Sequence, residues 1–164
     1  MKEILNADQM MRTIKRMTHE IIEKHLDLKE VVLLGVSQKG VPLAQLLKEN
    51  IYQFTEIDVP VFPLDIKPYR DDLETSIPKV DQGFQVKDKV VILVDDVLFT
   101  GRSARAALDA INFHGRPKLI SLAIFIDRGH REIPIRADFV GKNIPTSKNE
   151  KVIVDFSKMG VYID

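Results

Sequence analysis

Val90-Val91-Ile92-Leu93-Val94-Asp95-Asp96-Val97-Leu98-Phe99-Thr100-Gly101-Arg102-Ser103 decides how this chain folds. The run from Val90 to Val94 is continuously apolar, as a strand must be when helices cover both faces of a parallel sheet. Two adjacent carboxylates, Asp95 and Asp96, follow at its carboxyl end, where open α/β sheets place ligands. Side chains alternate along a strand, yet as the chain leaves the sheet both carboxylates can reach the crevice. They suit a pair of vicinal hydroxyls, or a hydrated divalent cation held through ligand oxygens. Phe99 to Ser103 then turns into a helix marked by Ala104, Ala107, Leu108 and Ile111. Its start offers backbone N–H groups, two hydroxyls and the positive helix end to a phosphate. Hydroxyl-binding carboxylates beside a phosphate turn describe a sugar phosphate site. In the competing reading Thr100 merely caps a helix. That reading leaves two carboxylates behind an apolar strand at a cost and without a purpose.

Outward from this stretch, strands and helices alternate. Met10, Ile14, Met17 and Ile21 form the stripe of an amphipathic helix. Val31 to Gly35 reads as a buried strand, and Pro42 to Asn50 as a helix with Pro in its first turn. Val59 to Leu64, with two prolines, reads as an edge strand. Residues 65–88 are polar and read as mostly mobile loop. Leu119 to Ile126 is another strand. From Asp127 onward, short strands near Ala137–Val140 and Val152–Phe156 sit in basic, Pro-containing sequence and suggest a small hood built largely from 127–164. The expected fold is α/β: a central parallel sheet of about five strands flanked by helices, in one domain spanning 1–164.

Composition narrows the function classes. Lys+Arg and Asp+Glu both number 24, so the net charge is zero and any nucleic-acid site must be a local patch. Such a patch is available: between 128 and 151, Arg128, Arg131, Arg136, Lys142, Lys148 and Lys151 face only Glu132, Asp138 and Glu150. By itself this is most simply a solvated charged face. The chain has no Cys, which removes disulfides and thiolate chemistry and fits a cytoplasmic protein. Met1 to Asp8 lack the apolar core of a signal peptide, and no run approaches the roughly 20 apolar residues of a membrane span. His19, His25, His114 and His130 show no metal-binding spacing. Gly35-Val36-Ser37-Gln38-Lys39-Gly40 sits between strand and helix but lacks the Lys-Ser/Thr of a P-loop. It is either a structural turn or a set of N–H groups facing an anion.

Val90 to Ser103 resembles the phosphoribosyl pyrophosphate signature of type I phosphoribosyltransferases. Asp127-Arg128-Gly129-His130-Arg131-Glu132-Ile133-Pro134-Ile135-Arg136-Ala137-Asp138-Phe139-Val140-Gly141-Lys142-Asn143-Ile144-Pro145-Thr146-Ser147 resembles one branch more narrowly, as do Arg16 to Glu23 and Tyr69 to Leu73. That branch is the bacterial pyrimidine operon attenuation regulators, which are also uracil phosphoribosyltransferases. The resemblance implies that Asp95 and Asp96 hold ribose hydroxyls and, indirectly, Mg²⁺ carried with phosphoribosyl pyrophosphate. Thr100, Gly101, Arg102 and Ser103 would cradle the 5-phosphate, and Ser37, Gln38, Lys39 and Gly40 the pyrophosphate, with Arg70 as a catalytic cation. Val140 and Lys142 would belong to the hood over the base. Phe99 stands where purine members carry an Asp, and Phe cannot act as a general base, which favours uracil. His19, His130, Arg136 and Lys142 match the branch's RNA face.

The implied partners are a pyrimidine-operon leader mRNA, uracil, phosphoribosyl pyrophosphate and UMP, with a homodimer or higher homo-oligomer and no membrane. Two departures stand out. Ser37-Gln38-Lys39 replaces the family's usual Lys-Thr-Arg, and Lys cannot reproduce the bidentate fork of Arg, so catalysis is expected to be weak. Lys15 stands where the branch often has a threonine. Two other readings stay open: a phosphoribosyltransferase for another base without an RNA role, and an RNA-binding regulator whose enzyme site survives as a nucleotide sensor.

Overall fold

A computed structural model describes residues 1–73 and 76–164. Eight strands and three helices follow in chain order: β1 (Lys2–Leu5), α1 (Ala7–Lys24), β2 (Val31–Val36), α2 (Ser37–Thr55), β3 (Val61–Leu64), β4 (Val90–Leu98), α3 (Arg102–His114), β5 (Leu119–Asp127), β6 (Phe139–Asn143), β7 (Val152–Asp155) and β8 (Gly160–Ile163). The main sheet is parallel throughout, in the order β3-β2-β4-β5-β6. Order reverses between β2 and β4, so a crevice opens outside their carboxyl ends, beside Asp95 and Asp96.

Each face of the sheet has its own apolar core. On one face α1 and α2 bury Met10, Ile14, Met17, Ile21, Leu43, Leu47 and Ile51 against Ile92, Val94 and Phe125. All four stripe residues of α1 are fully enclosed. A reciprocal capping box starts that helix: Gln9 N–H donates to Asn6 Oδ1 and Asn6 N–H donates to Gln9 Oε1, each at 2.9 Å. On the other face α3 lays Ala104, Ala107, Ala110 and Ile111 on Val91, Leu93, Leu122 and Ile124. Its three alanines let the helix sit close to the strands.

The structure moves several boundaries. α2 begins at Ser37, so Pro42 lies inside the helix rather than in its first turn. The reason is close packing. A Cβ on Gly40 would lie 2.2 Å from the Val94 carbonyl oxygen, and one on Gly35 2.8 Å from the Val41 backbone. Strand therefore passes directly into helix, with Ser37 in the left-handed region at φ 54°. β3 is an edge strand, as its prolines require.

The hood differs more. β6 is not part of it but is the fifth strand of the main sheet, because Phe139 and Gly141 turn inward against α1 and the backbone of Phe125. The small antiparallel sheet has the order β1-β8-β7, so it takes its edge strand from the N-terminus rather than from 127–164 alone. Residues 65–88 are not plain loop either. A 3₁₀ turn spans Lys67–Tyr69, and Ile66, Tyr69, Phe84 and Val86 are buried. Glu74 and Thr75, within the expected mobile loop, lie outside the described residues. No described helix is long and apolar enough to cross a membrane.

Because the obstruction at Gly40 is backbone, Gly40→Ala is expected to destabilise the protein by about 1–3 kcal/mol. Urea unfolding measures this; a midpoint equal to wild type would mean that α2 does not need to approach β4 so closely.

Candidate active site

β4 runs four residues beyond the expected strand end, to Leu98. Alternation therefore persists at Asp95 and Asp96, and the two line different hollows. Asp95 lines a hollow of about 150 Å³ with Val36, Phe99, Thr100, Gly101 and Ser103. Asp96 lines another, of about 450 Å³, with Lys39, Pro42 and residues 151–157 of the hood. The pair straddles the strand end. Each carboxylate accepts the N–H of the residue that follows it, at 2.8 Å.

Burial, and then the charge of Asp96, push the Asp95 carboxyl well above the ordinary carboxylate range. Burial also raises Asp96, against hydrogen bonding and the Lys39 ammonium. Lys39 draws both down without offsetting burial. Two carboxylates held in this way are short of hydrogen-bond donors and positive charge. Ligand hydroxyls or a cation supply both. Among the described residues, no cluster of three or more His, Asp or Glu could hold a metal ion directly.

The turn after β4 has the backbone geometry that anion sites use. Gly101 sits at φ 93°, a conformation that glycine adopts freely, and starts α3. Arg102 N–H is taken by Thr100 Oγ1 at 3.3 Å and Arg105 N–H by the Gly101 carbonyl at 3.0 Å. The first-turn amides of Ser103 and Ala104 have no acceptor in the helix and face the positive end of the dipole. Arg102 contributes backbone here rather than its guanidinium. Its side chain is drawn outward to Glu132 at 2.8 Å and Asp71 at 3.6 Å.

The first turn of α2 splits its tripeptide between two openings. Ser37 and Gln38 line one with Pro63, Leu64, Asp65 and Lys67, while Lys39 and Pro42 line the hollow of Asp96. Arg70 lies by the phosphate turn, in a hollow of about 160 Å³ shared with Thr100, Arg102, Ser103 and Arg105. Its guanidinium is occupied by both oxygens of Asp72. The Tyr69 hydroxyl beside it is buried without a hydrogen-bond partner among the described residues.

Comparison with known proteins settles the family. The model described as phosphoribosyl transferase domain matches residues 1–158. Proteins named Bifunctional protein PyrR are close in sequence. That of Clostridium kluyveri is 52% identical over 160 residues, covering 95% of this chain and 90% of its own. That of Actinobacillus succinogenes is 53% identical, covering 93% and 90%. The chain belongs to the PyrR family of phosphoribosyltransferases. Solved hypoxanthine phosphoribosyltransferases share the fold at lower identity. The Trypanosoma cruzi enzyme has a TM-score of 0.79 at 18% identity, covering 99% of this chain and 95% of that one. The Staphylococcus aureus enzyme has a TM-score of 0.75 at 18% identity, covering 93% and 80%.

Around the last strands of this PyrR-family chain, the sequence-assigned residues separate. His130, Arg136 and Val140 line one open concavity of about 800 Å³ with Arg128, Arg131 and Thr146. Lys142 and His19 lie outside it. His19 is exposed on α1, where its ring meets Phe54 at 4.5 Å and Lys15 lies over the same Phe54 ring. Sequence reasoning missed the role of Arg128 by counting it with the basic surface. It is buried, stacks on Phe99 at 4.0 Å, and donates to Thr146 Oγ1, the Ser147 carbonyl and the Glu150 carbonyl. It thereby braces the 144–150 segment against the phosphate turn. Its place directly after an apolar strand was the available signal.

The raised carboxyls carry a pH signature. With a folded pKa above the unfolded value, the folded chain retains protons that the unfolded chain has released. Stability of the free protein therefore falls as pH rises from the ordinary carboxylate range through the raised values, and stays lowered at neutral pH. Asp95→Asn is expected to flatten that profile and raise Tm at pH 7 by about 2–4 °C, the shift that roughly 1 kcal/mol produces at this size. UMP affinity, measured by calorimetry, should fall. An unchanged or lower Tm would contradict the burial argument.

Proposed function

We propose that this protein transfers the ribose 5-phosphate of phosphoribosyl pyrophosphate to uracil, giving UMP and pyrophosphate, and that it binds a pyrimidine-operon leader transcript in response to uridine nucleotides. The observation that carries the reading is the pair of half-buried, raised carboxylates placed between two helix N-termini in a chain half identical to PyrR proteins.

In the transfer, the bond from the anomeric carbon to the pyrophosphate oxygen breaks and a bond to the uracil ring nitrogen forms, the ring proton passing to the departing pyrophosphate, through an oxocarbenium-like transition state. Asp95 and Asp96 accept hydrogen bonds from the ribose hydroxyls and face the positive charge that develops on the ring. The Thr100–Ser103 turn holds the 5-phosphate through backbone amides and hydroxyls. Ser37, Gln38, Lys39 and Gly40 present the first turn of α2 to the pyrophosphate. Arg70 exchanges Asp72 for the departing charge. Mg²⁺, when bound with the substrate, neutralises pyrophosphate charge. Phe99, flanked by Arg128 and by His130 at 5.6 Å, forms an apolar wall by the base and supplies no proton acceptor. Val140 and Lys142, on the main sheet, border the base from the other side.

The RNA face combines His19, His130, Arg136 and Lys142. One chain gathers only His130 and Arg136 into a single concavity, which supports a face completed by a second copy in a homodimer. The protein works in the cytoplasm, where the transcript is made. Lys39 in place of an arginine supports slow turnover, because a single ammonium cannot form the bidentate contact.

Two assays test this together. Initial rates with Mg²⁺ should show product from uracil and none from hypoxanthine or guanine. Gel shifts with the operon's own leader RNA should tighten with UMP. Arg136→Ala should weaken RNA binding and reduce the log–log salt slope by about 0.7, the value for one single-stranded phosphate contact. Purine turnover without RNA binding would overturn the reading. RNA binding with no turnover would leave only a nucleotide-sensing regulator.

A further inference from the structure

His114 closes α3 at the end opposite the phosphate turn, and its side chain is 2% exposed. Its Nδ1 lies 2.8 Å from the Ala110 carbonyl oxygen, and its Nε2 lies 2.9 Å from the backbone nitrogen of Gln82. A carbonyl only accepts and an amide N–H only donates. The ring therefore carries its hydrogen on Nδ1 and a lone pair on Nε2. Phe84 stacks on it at 4.3 Å and 21°, and Phe113 meets it edge-on at 5.5 Å. Asp81, with an oxygen 3.9 Å from Nε2, is the charged group beside the ring.

From Gln82 the hydrogen bonds continue. Its side chain pairs with the main chain of Asp65 at both ends: Asp65 N–H donates to Oε1 at 2.8 Å, and Nε2 donates to the Asp65 carbonyl at 2.9 Å. Asp65 Oδ1 accepts Lys67 N–H at 3.0 Å, which opens the 3₁₀ turn Lys67–Tyr69. Tyr69 N–H returns to the Ile66 carbonyl at 2.9 Å, and Tyr69 rests edge-on against Phe113 at 6.3 Å. Arg70 follows at once.

The bonds between Gln82 and Asp65 are exposed, and alone would hold little against water. The ring is enclosed, so it is the firm end of the chain. α3 then acts as a ruler: its first turn forms the phosphate site and its last residue sets where Arg70 enters.

We propose that His114 is a positioning residue that places Arg70 beside the phosphate turn, acting through Gln82 and Asp65. The proposal rests on the reading of Arg70 as a cation for the pyrophosphate. His114→Phe keeps a ring over Phe84 and removes both hydrogen bonds, whereas His114→Gln can again offer one acceptor and one donor. Calorimetry with phosphoribosyl pyrophosphate and Mg²⁺ is expected to show about fivefold weaker binding for His114→Phe, the effect of one lost hydrogen bond, and recovery in His114→Gln. Amide exchange at Gln82 should quicken in the Phe variant and recover likewise. Gln82→Ala, at a half-buried site that also borders the opening of Ser37 and Gln38, should weaken binding by a similar factor. If His114→Phe does not fold, the proposal is decided by whether Gln82→Ala still weakens binding in an Arg70→Ala background, where a positioning role predicts no further loss.

Wild-type affinity in both His114→Phe and Gln82→Ala, in a protein where Arg70→Ala weakens binding, would overturn the positioning role alone. Wild-type affinity in Arg70→Ala would overturn the reading of Arg70 and this proposal with it.

Discussion

Two adjacent carboxylates are held half-buried on the strand that holds the sheet together. β4 is the central strand of five, flanked on both sides by parallel partners and on both faces by apolar cores. Asp95 and Asp96 close that strand and cannot withdraw to solvent without unzipping it. A carboxylate drawn out of water is penalised, and Asp95 also feels the charge of Asp96. The fold provides backbone amides and one lysine, and stops short of compensation. Such a pair favours groups that donate hydrogen bonds or bring positive charge.

The remainder of the molecule keeps the surroundings fixed. Gly40 lets α2 touch the carbonyl of Val94, the residue before the acidic pair, so its first turn stands next to the carboxylates. Small residues on α3 bring the phosphate turn down onto the same strand from the opposite face. Arg128 ties the turn to the 144–150 segment, and the edge contact between Phe125 and Phe156 joins the hood to the main core. The starts of α2 and α3 thus flank the acidic pair from the two faces of one strand end, an arrangement that suits the proposed sugar phosphate substrate.

Much of this was legible in the sequence, for identifiable reasons. Continuous apolar runs have few alternatives to a buried parallel strand, so β2, β4 and β5 and the sheet around them were readable. The i, i+4 stripe of α1 was equally plain. The acidic pair and the glycine-led turn marked the site because charges rarely follow such a strand. What was hidden depends on contacts distant in sequence. Lys2–Leu5 buries one side chain and becomes a strand only by pairing with Val161 to Ile163. β6 looks like hood until Gly141 is seen against Phe125. The opposed facing of Asp95 and Asp96 follows from where β4 ends, and local pattern places strand ends poorly. Arg128 and His114 resemble ordinary polar residues because their partners lie 18 and 32 positions away.

The central claim is that the free protein holds its strand-end carboxylates under-compensated. Carbon-detected NMR titration of the aspartate carboxyls, free and with UMP bound, measures this directly. The account predicts that Asp95 titrates well above the ordinary value of about 3.9 in the free protein and remains ionised to lower pH once UMP is bound. An Asp95 that titrates in the ordinary range without ligand, and does not move when UMP binds, would contradict it.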